Sequence, residues 1–299
     1  MIITIFFSIY SFYYYKRNIE YYSQICKYRK IKDYTRWILC DKYIAKKYAE
    51  LNGFNVAKTY QLVKYPYEIK FEELPESYVI KPVDLCESAG VYFVNNNINM
   101  KTGLKINKDE ILRGLIRLRA KMGTEYYMHE LMYDGKIPFN GYIVEELLLD
   151  KGEIPYDYKC YTFNGRIYFI AITFNRITIN GDHYFDSVWV DRNWNIIRYP
   201  MIQTNYKYIQ PDKPTNYEDI IYKVENMSRL LKRHCRIDIY NINNKVYLGE
   251  FTFFCGATIH TFICNFILGF IWLFNRDDYS SHDDKLFQLV PSFYNNIKN

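Results

Sequence analysis

The chain has 299 residues, 49% of them hydrophobic and 24% charged, with a mean hydropathy of −0.29. This composition supports a sizeable core and excludes an intrinsically disordered chain, and the length suits one large domain or two to three small lobes. The net charge of +6 is mild and dispersed, so it suits anionic substrates and leaves no footprint for nucleic acid.

Tyr (33), Ile (37) and Asn (25) are heavily used, a bias that AT-rich codons produce, so the aromatic content by itself says little about stacking on sugars or bases. The seven cysteines, Cys26, Cys40, Cys86, Cys160, Cys235, Cys255 and Cys264, form no CxxC pair and are odd in number. A zinc site or disulfide framework is not expected, and a reducing, cytoplasmic compartment is. Met1–Tyr15 is apolar but shorter than the ~20 residues of a bilayer span, with no basic segment ahead of it and no small-residue cleavage site. Ala257–Phe274 is 18 residues long but holds His260, Asn265 and Gly269, which makes it a core segment; the alternative is a membrane-associated end.

In chain order, residues 1–40 read as an aromatic and basic extension. Asp41 caps a predicted helix to about Leu51, ended by Asn52-Gly53. Strands are expected at Val56–Leu62, Tyr78–Pro82 and Val91–Val94, the last two joined by Val83–Gly90. Apolar Ile111, Leu112, Leu115, Ile116 and Leu118 predict a helix over Lys108–Met122, stopped at Gly123. A strand follows at Tyr142–Leu149, and Asn164-Gly165 predicts a hairpin of Asp157–Phe163 with Arg166–Phe174. Thr215–Glu218 has the form of a capping box opening a helix to about Arg233. A second hairpin joins Arg236–Tyr240 to Lys245–Phe254 around Asn241–Asn244. The layout is α+β or mixed α/β.

Charges inside apolar strands are the informative positions, because burial is costly unless the group is paired or used. Lys81 ends a strand beside a small-residue turn, where it reads either as a phosphate ligand assisted by the Ser88–Gly90 amides or as an ordinary surface lysine. Glu145 and Glu146 alternate, one toward the core side and one toward solvent. Asp157 and Lys159 share a strand face, as a structural ion pair or a pair directed into a cleft. In the last hairpin Glu250 and Thr252 share a face. With the turn centred near Asn243, Arg236 is expected opposite Glu250, with Asp238 as its diagonal neighbour. Two converging acids need a cation, and Asp, Glu and a Thr hydroxyl suit magnesium; the alternative is that Arg236 simply neutralises an acid.

Asp41-Lys42, Lys58-Thr59, Val79-Ile-Lys81-Pro82, the Ser-Ala-Gly loop, Val144-Glu-Glu-Leu147, Asp157-Tyr-Lys159, Arg236-Ile-Asp238 and Gly249-Glu250-Phe-Thr252-Phe resemble, in order, the ATP-grasp superfamily, and within it the TupA-like family. The resemblance runs from about Asp41 to Asn275 and implies an α+β ATP-grasp fold: an N-terminal lobe and lid over 41–140, a catalytic lobe over 141–275 and a tail over 276–299. It implies that Lys42 and Lys81 hold ATP phosphates with Ser88 and Gly90, and that Glu145, Glu146 and Leu147 form the adenine hinge. Lys159 and Arg236 are then the catalytic cations, and Asp238, Glu250 and Thr252 the Mg2+ ligands. Gly256, Thr258, His260 and Thr261 are similar to the tail of D-alanine–D-alanine-ligase-like enzymes, which implies that Thr261 faces the acceptor. The sequence departs from that pattern at Thr252, where Asn is usual, at Cys255, where many carry Pro, and in a loop with a single glycine. The implied activity is ATP-dependent joining of a carboxylate to an amine in polysaccharide or surface-polymer biosynthesis, on small-molecule or polymer substrates that can be glycan-linked. Two other readings stand beside it. One is an ATP-grasp fold that binds nucleotide or glycan without turnover, and the other is a membrane-anchored structural protein using the apolar ends.

Overall fold

The computed structural model describes residues 11, 14–16, 18–31, 33–85, 89–122, 141–179, 182–203, 205–254, 259–280, 283–286 and 288–289, with backbone alone over 176–179 and 182–184. The chain divides into two compact units. The first comprises Met1–Asp33, Tyr156–Arg176 and His183–Asp283; the second comprises Tyr34–Pro155, Ile177–Asp182 and Asp284–Asn299. Each carries helices and a five-stranded sheet, the α+β class expected.

The sheet of the second unit contains β1 (Thr59–Val63), β2 (Tyr78–Pro82), β3 (Tyr92–Asn95), β4 (Ile98–Asn99) and β5 (Tyr142–Glu145), in the spatial order β1-β5-β2-β3-β4. Its core gathers Tyr78, Ile80 and Val94 with Tyr142 and Val144, covered by Ile111 and Leu115 of a helix over Lys108–Met122. A shorter helix, Lys42–Leu51, begins where expected because Asp41 Oδ1 accepts from the Tyr43 and Ile44 amides at 2.8 and 2.9 Å. This cap satisfies amides that otherwise have no partner within the helix. The strand expected over Tyr142–Leu149 stops at Glu145, although the Glu146 amide still donates to the Lys58 carbonyl at 2.8 Å, beside the Thr59–Glu145 pair.

In the first unit, β6 (Asp157–Phe163), β7 (Arg166–Ile179), β8 (Asp182–Asp191), β9 (Cys235–Ile242) and β10 (Lys245–Thr252) order as β10-β9-β6-β7-β8. Both predicted hairpins form, with positive φ at Asn164 and Gly165 and at Asn243 and Asn244, the geometry that two-residue turns require. The helices of this unit are α1 (Tyr21–Tyr28), α5 (Tyr217–Leu231) and α6 (Phe262–Phe274); those of the second are α2 (Tyr34–Leu39), α3 (Lys42–Leu51) and α4 (Lys108–Met122). The Thr215–Glu218 capping box does not form. Thr215 Oγ1 donates to Asn244 Oδ1 at 2.7 Å and Asn216 bonds to Asn241, so the helix start is tied to the β9–β10 turn instead.

The aromatic N-terminal stretch has a structural task. Helix α1 lies against α6 so closely that a Cβ at Gly269 would overlap the Ile19 carbonyl oxygen. Arg233 Nε meets Asp33 Oδ2 at 2.6 Å in a fully buried ion pair. The apolar run Ala257–Phe274 becomes the 13-residue α6, buried on one face through Cys264, Leu268 and Trp272. Among the described residues no helix is long and apolar enough to cross a membrane. Cys26 and Cys160 are free thiols.

His234 links α1 to the sheet. It lies 2.6 Å from the Tyr21 hydroxyl through Nε2 and 2.9 Å from the Thr162 carbonyl through Nδ1. A carbonyl only accepts, so Nδ1 carries the proton and Nε2 accepts from Tyr21. Complete burial pushes this imidazole down to about 3. The folded chain therefore binds fewer protons here than the unfolded chain, and the stability contributed is full above pH 6.5 and lost as pH falls toward 3. His234→Phe should lower stability at pH 8 by about 1–3 kcal/mol, because the Tyr21 hydroxyl loses its acceptor. It should also flatten the acid slope between pH 6.5 and 4.5. Urea unfolding at a series of pH values checks both, and an unchanged slope would count against a neutral His234.

Candidate active site

The predicted residues fall into two groups, one in each unit. In the second unit the group rests on strand pairing. Val79 of β2 stands opposite Glu145 of β5, so Lys81, two residues along, is the diagonal neighbour of Glu145 on the same face. Lys81 Nζ reaches Glu145 Oε1 at 2.5 Å, while Lys46 Nζ of α3 reaches Glu145 Oε2 at 2.6 Å and Thr59 Oγ1 at 3.2 Å. One buried carboxylate is thus shared by two ammonium groups. Burial alone would raise the Glu145 carboxyl, but Lys81 and Lys46 hold it below its ordinary value; burial pulls Lys46 down despite Glu145. Sequence reasoning assigned Lys81 and Glu145 separate tasks and missed Lys46. The available signal was its placement one turn beyond Lys42, among the buried Ile44, Ala45, Tyr48 and Ala49.

Lys42 opens α3, and its Nζ donates to the Leu85 carbonyl while its amide donates to the Val83 carbonyl at 2.9 Å. The helix start and the loop after β2 are thereby joined. Asp84 grips Arg119 of α4 through two bonds of 2.6 and 2.7 Å, which fixes the base of the same loop. Gly90 has φ +68°, and a Cβ there would lie 2.5 Å from Leu118 Cδ2 and 3.0 Å from Pro82 Cγ, so glycine is required by both conformation and space. Ser88 lies outside the described residues. Glu145 is buried and Glu146 is turned outward, its carboxylate accepting from the Lys58 amide at 3.1 Å, while Leu147 is buried; this is the alternation expected. Asp41 is fully buried near Asp84, and burial pushes its carboxyl up to about 7 against the pull of its two capped amides.

In the first unit a row of alternating charge crosses three strands. Asp157 Oδ2 meets Lys159 Nζ at 2.6 Å, and Lys159 Nζ meets Asp238 Oδ2 at 2.8 Å. Arg236 forks onto Asp238, with Nε to Oδ1 and Nη2 to Oδ2 both at 2.6 Å. Arg236 Nη2 also donates to Thr252 Oγ1 at 3.1 Å, and Thr252 Oγ1 donates to Glu250 Oε1 at 3.2 Å. The register differs from expectation: Glu250 stands opposite Asp238, and Thr252 opposite Arg236. The tight turn sits on Asn243-Asn244, and a bulge between Leu248 and Glu250 adds a residue to β10, moving its last positions along β9. Lys159 faces Asp238 directly across β6–β9. The Asp157–Lys159 pair is therefore part of a longer network.

The donor set Asp238, Glu250 and Thr252 fits Mg2+ in chemistry: two carboxylates and a hydroxyl, all hard oxygen donors, with phosphates and water able to supply the remainder. Glu250 is 44% exposed and open to a ligand, whereas Asp238 is 3% exposed and already bound to Arg236 and Lys159. Burial raises the Asp238 carboxyl against the opposing pull of Arg236 and Lys159. Among the described residues, no cluster of three His, Cys, Asp or Glu that could hold a metal ion occurs, so any bound cation relies on the Thr hydroxyl or on ligand oxygens. Thr261 caps α6, its hydroxyl accepting from the Cys264 amide at 3.2 Å and donating to the Pro200 carbonyl at 2.7 Å. Its neighbour His260 is buried against Tyr161, whose hydroxyl is 3.0 Å from Nε2. Gly256 and Thr258 lie outside the described residues.

Lys159→Met should cost about 3–5 kcal/mol at pH 7.5, because Asp157 is left without this ammonium and faces Asp238 across a buried gap. The Asp238 carboxyl, already raised by burial, then loses one of the two cations that oppose the rise, so the folded chain binds more protons than the unfolded one and the loss should shrink at pH 5. Denaturant unfolding of both proteins at the two pH values measures this; an equal loss at both would remove carboxylate repulsion as its cause.

The family model described as TupA-like ATPgrasp matches residues 23–266. Among solved structures, the chain is similar to D-alanine–D-alanine ligase from Bacillus anthracis at 15% identity, covering 85% of this chain and 66% of that one, with a TM-score of 0.45. It is also similar to the D-cycloserine synthetase DcsG at 12% identity, covering 78% and 69% with a TM-score of 0.43. The ATP-grasp ligase PsnB, in complex with its minimal precursor, is similar at 11% identity, covering 79% and 60% with a TM-score of 0.41. The chain thus spans just under two thirds of the length of the Bacillus anthracis ligase. No curated protein matches it. With the motif order from Lys42 to Thr252 on two α+β units and a family match over most of its length, this chain belongs to the TupA-like ATP-grasp family.

Proposed function

We propose that the protein is an ATP-dependent ligase that joins a carboxylate to an amine. The observation that carries this reading is the charge row on one sheet face: Lys159, Asp238, Arg236, Thr252 and Glu250 within hydrogen-bonding or ion-pair reach of one another. A substrate carboxylate oxygen attacks the γ-phosphorus of ATP, the bond to the bridging oxygen breaks and ADP leaves. The amine then attacks the acyl-phosphate carbon, loses a proton to solvent and expels inorganic phosphate, leaving an amide.

In this reading Lys42 and Lys81 hold phosphates, with Ser88 and Gly90 at the loop, and Glu145, Glu146 and Leu147 meet adenine mainly through backbone. Arg236 and Lys159 compensate the charge that grows on the transferring phosphoryl group and on the oxyanion. Asp238, Glu250 and Thr252 would hold Mg2+, which neutralises phosphate charge when bound. Thr261 lies toward the acceptor. The substrates are small-molecule or polymer carboxylates and amines of surface-polymer or polysaccharide synthesis, a step that rests on family analogy. A reducing, cytoplasmic setting belongs to this reading, on the odd number of cysteines and the lack of a CxxC pair in the sequence.

The competing reading, nucleotide binding without turnover, draws on Thr252, whose hydroxyl lies between Arg236 and Glu250. One experiment separates them. ATP should raise the melting temperature much more with Mg2+ than with EDTA, by mass action on the folded state. With candidate acceptors present, Arg236→Ala should slow ADP release by about 10²–10³ while ATP affinity stays close to that of the parent protein. Arg236→Lys should recover little, because it lacks the planar fork. Calorimetry and an ADP assay read these; ATP binding with no ADP release under any acceptor would leave the binding protein as the reading.

A further inference from the structure

We infer that Lys46 is a positioning residue for nucleotide phosphate: it holds Glu145 as a counter-ion so that the charge of Lys81 remains available to the ligand. The inference rests on the reading that Lys81 meets ATP phosphate, and goes beyond it by assigning the control of that lysine to a residue that does not reach the nucleotide.

Lys46 is 5% exposed, with its ammonium between Glu145 Oε2 and Thr59 Oγ1 at 2.6 and 3.2 Å. A group so enclosed is committed to Glu145 and Thr59. Lys81 is the more open of the two ammoniums, with its side chain 17% exposed, and it takes the other Glu145 oxygen at 2.5 Å. The buried carboxylate needs a cation at all times, because an isolated buried charge is strongly disfavoured. With two lysines present, that need is met by Lys46 when Lys81 turns to phosphate. With Lys46 removed, Lys81 is the sole cation on Glu145, and every phosphate contact it makes leaves a buried carboxylate uncompensated. The trio of two ammoniums and one carboxylate thus keeps one positive charge for an anion, and Lys46 decides whether that charge is free to move.

The test is calorimetric titration of MgATP into four folded proteins: the parent chain, Lys46→Met, Lys46→Met/Glu145→Gln, and Lys81→Ala. Lys46→Met should weaken MgATP at least tenfold, although its Glu145 retains Lys81 as partner and the protein stays folded. The double variant removes the need for a counter-ion together with Lys46 and should recover most of the loss. A role in packing alone predicts a lower melting temperature with parental affinity, and no recovery in the double variant. A folded Lys46→Met protein with parental affinity, or a double variant as weak as Lys46→Met, would overturn the proposal. Lys81→Ala distinguishes the levels. If it loses affinity while Lys46→Met does not, only the role of Lys46 fails; if Lys81→Ala binds MgATP like the parent, the assignment of Lys81 to phosphate fails with it.

Discussion

Asp238 lies between Arg236 and Lys159 with almost none of its side chain in water, and a carboxylate in that position dictates much of what surrounds it. Lys159 must stand directly across β6–β9, which ties the register of those strands to a charge as well as to apolar alternation. Arg236 must lie two residues before it so that the guanidinium fork can close on both oxygens. The bulge in β10 then sets Glu250 opposite Asp238 and Thr252 opposite Arg236, so that the hydroxyl separates guanidinium from the outer acid. A sheet selected for stability alone does as well with apolar side chains of similar volume, since desolvation offsets the attraction of a buried pair. Retaining five charges on one sheet face is better explained by what those charges do to a ligand.

The two units solve burial with opposite residual charge. In the first, among the described residues, three carboxylates (Asp157, Asp238, Glu250) lie with two cations (Lys159, Arg236), and Glu250 is the exposed member. In the second, two ammoniums share Glu145, and the excess is cationic. In the proposed function the first group meets a metal cation and the second phosphate, without any change in the kind of residue used. Asp84 and Arg119 form a balanced pair close to the second group, and its effect is mechanical: it fixes the loop that carries Gly90.

Features governed by neighbouring residues were legible in the sequence. Asp41 caps its helix, Asn164-Gly165 turns its hairpin, the second hairpin turns within the expected Asn241–Asn244, and Glu145 and Glu146 point to opposite sides, because each depends on chain within a few residues. What failed depended on distant partners. The Thr215 hydroxyl leaves its own helix for Asn244, 29 residues on, so the capping-box pattern was present and unused. Lys46 and Lys47 are the same residue type and differ locally only in helix face, yet one is buried on Glu145, 99 residues away, and the other makes an exposed pair with Glu50. The hairpin turn predicts a register only for strands without bulges, and Gly249 was the sole local hint that β10 carries an extra residue. The family resemblance supplied the candidate site as a set, which pattern reading of single strands did not.

The closeness of α1 to α6 bears on how the chain is built during synthesis. Tyr21 and Asp33 meet His234 and Arg233, which lie 213 and 200 residues further along the chain. At the ~5–20 residues per second of translation, that interval is on the order of 10–40 seconds. Throughout it the apolar face of α1, with Tyr21, Ile25 and Tyr28, has no α6 to lie against. The strands of the second unit, by contrast, all lie between residues 59 and 145 and can pair as soon as they emerge. Helix α1 is thus made well before its partners and buried only with them, a delay set by the topology of the fold.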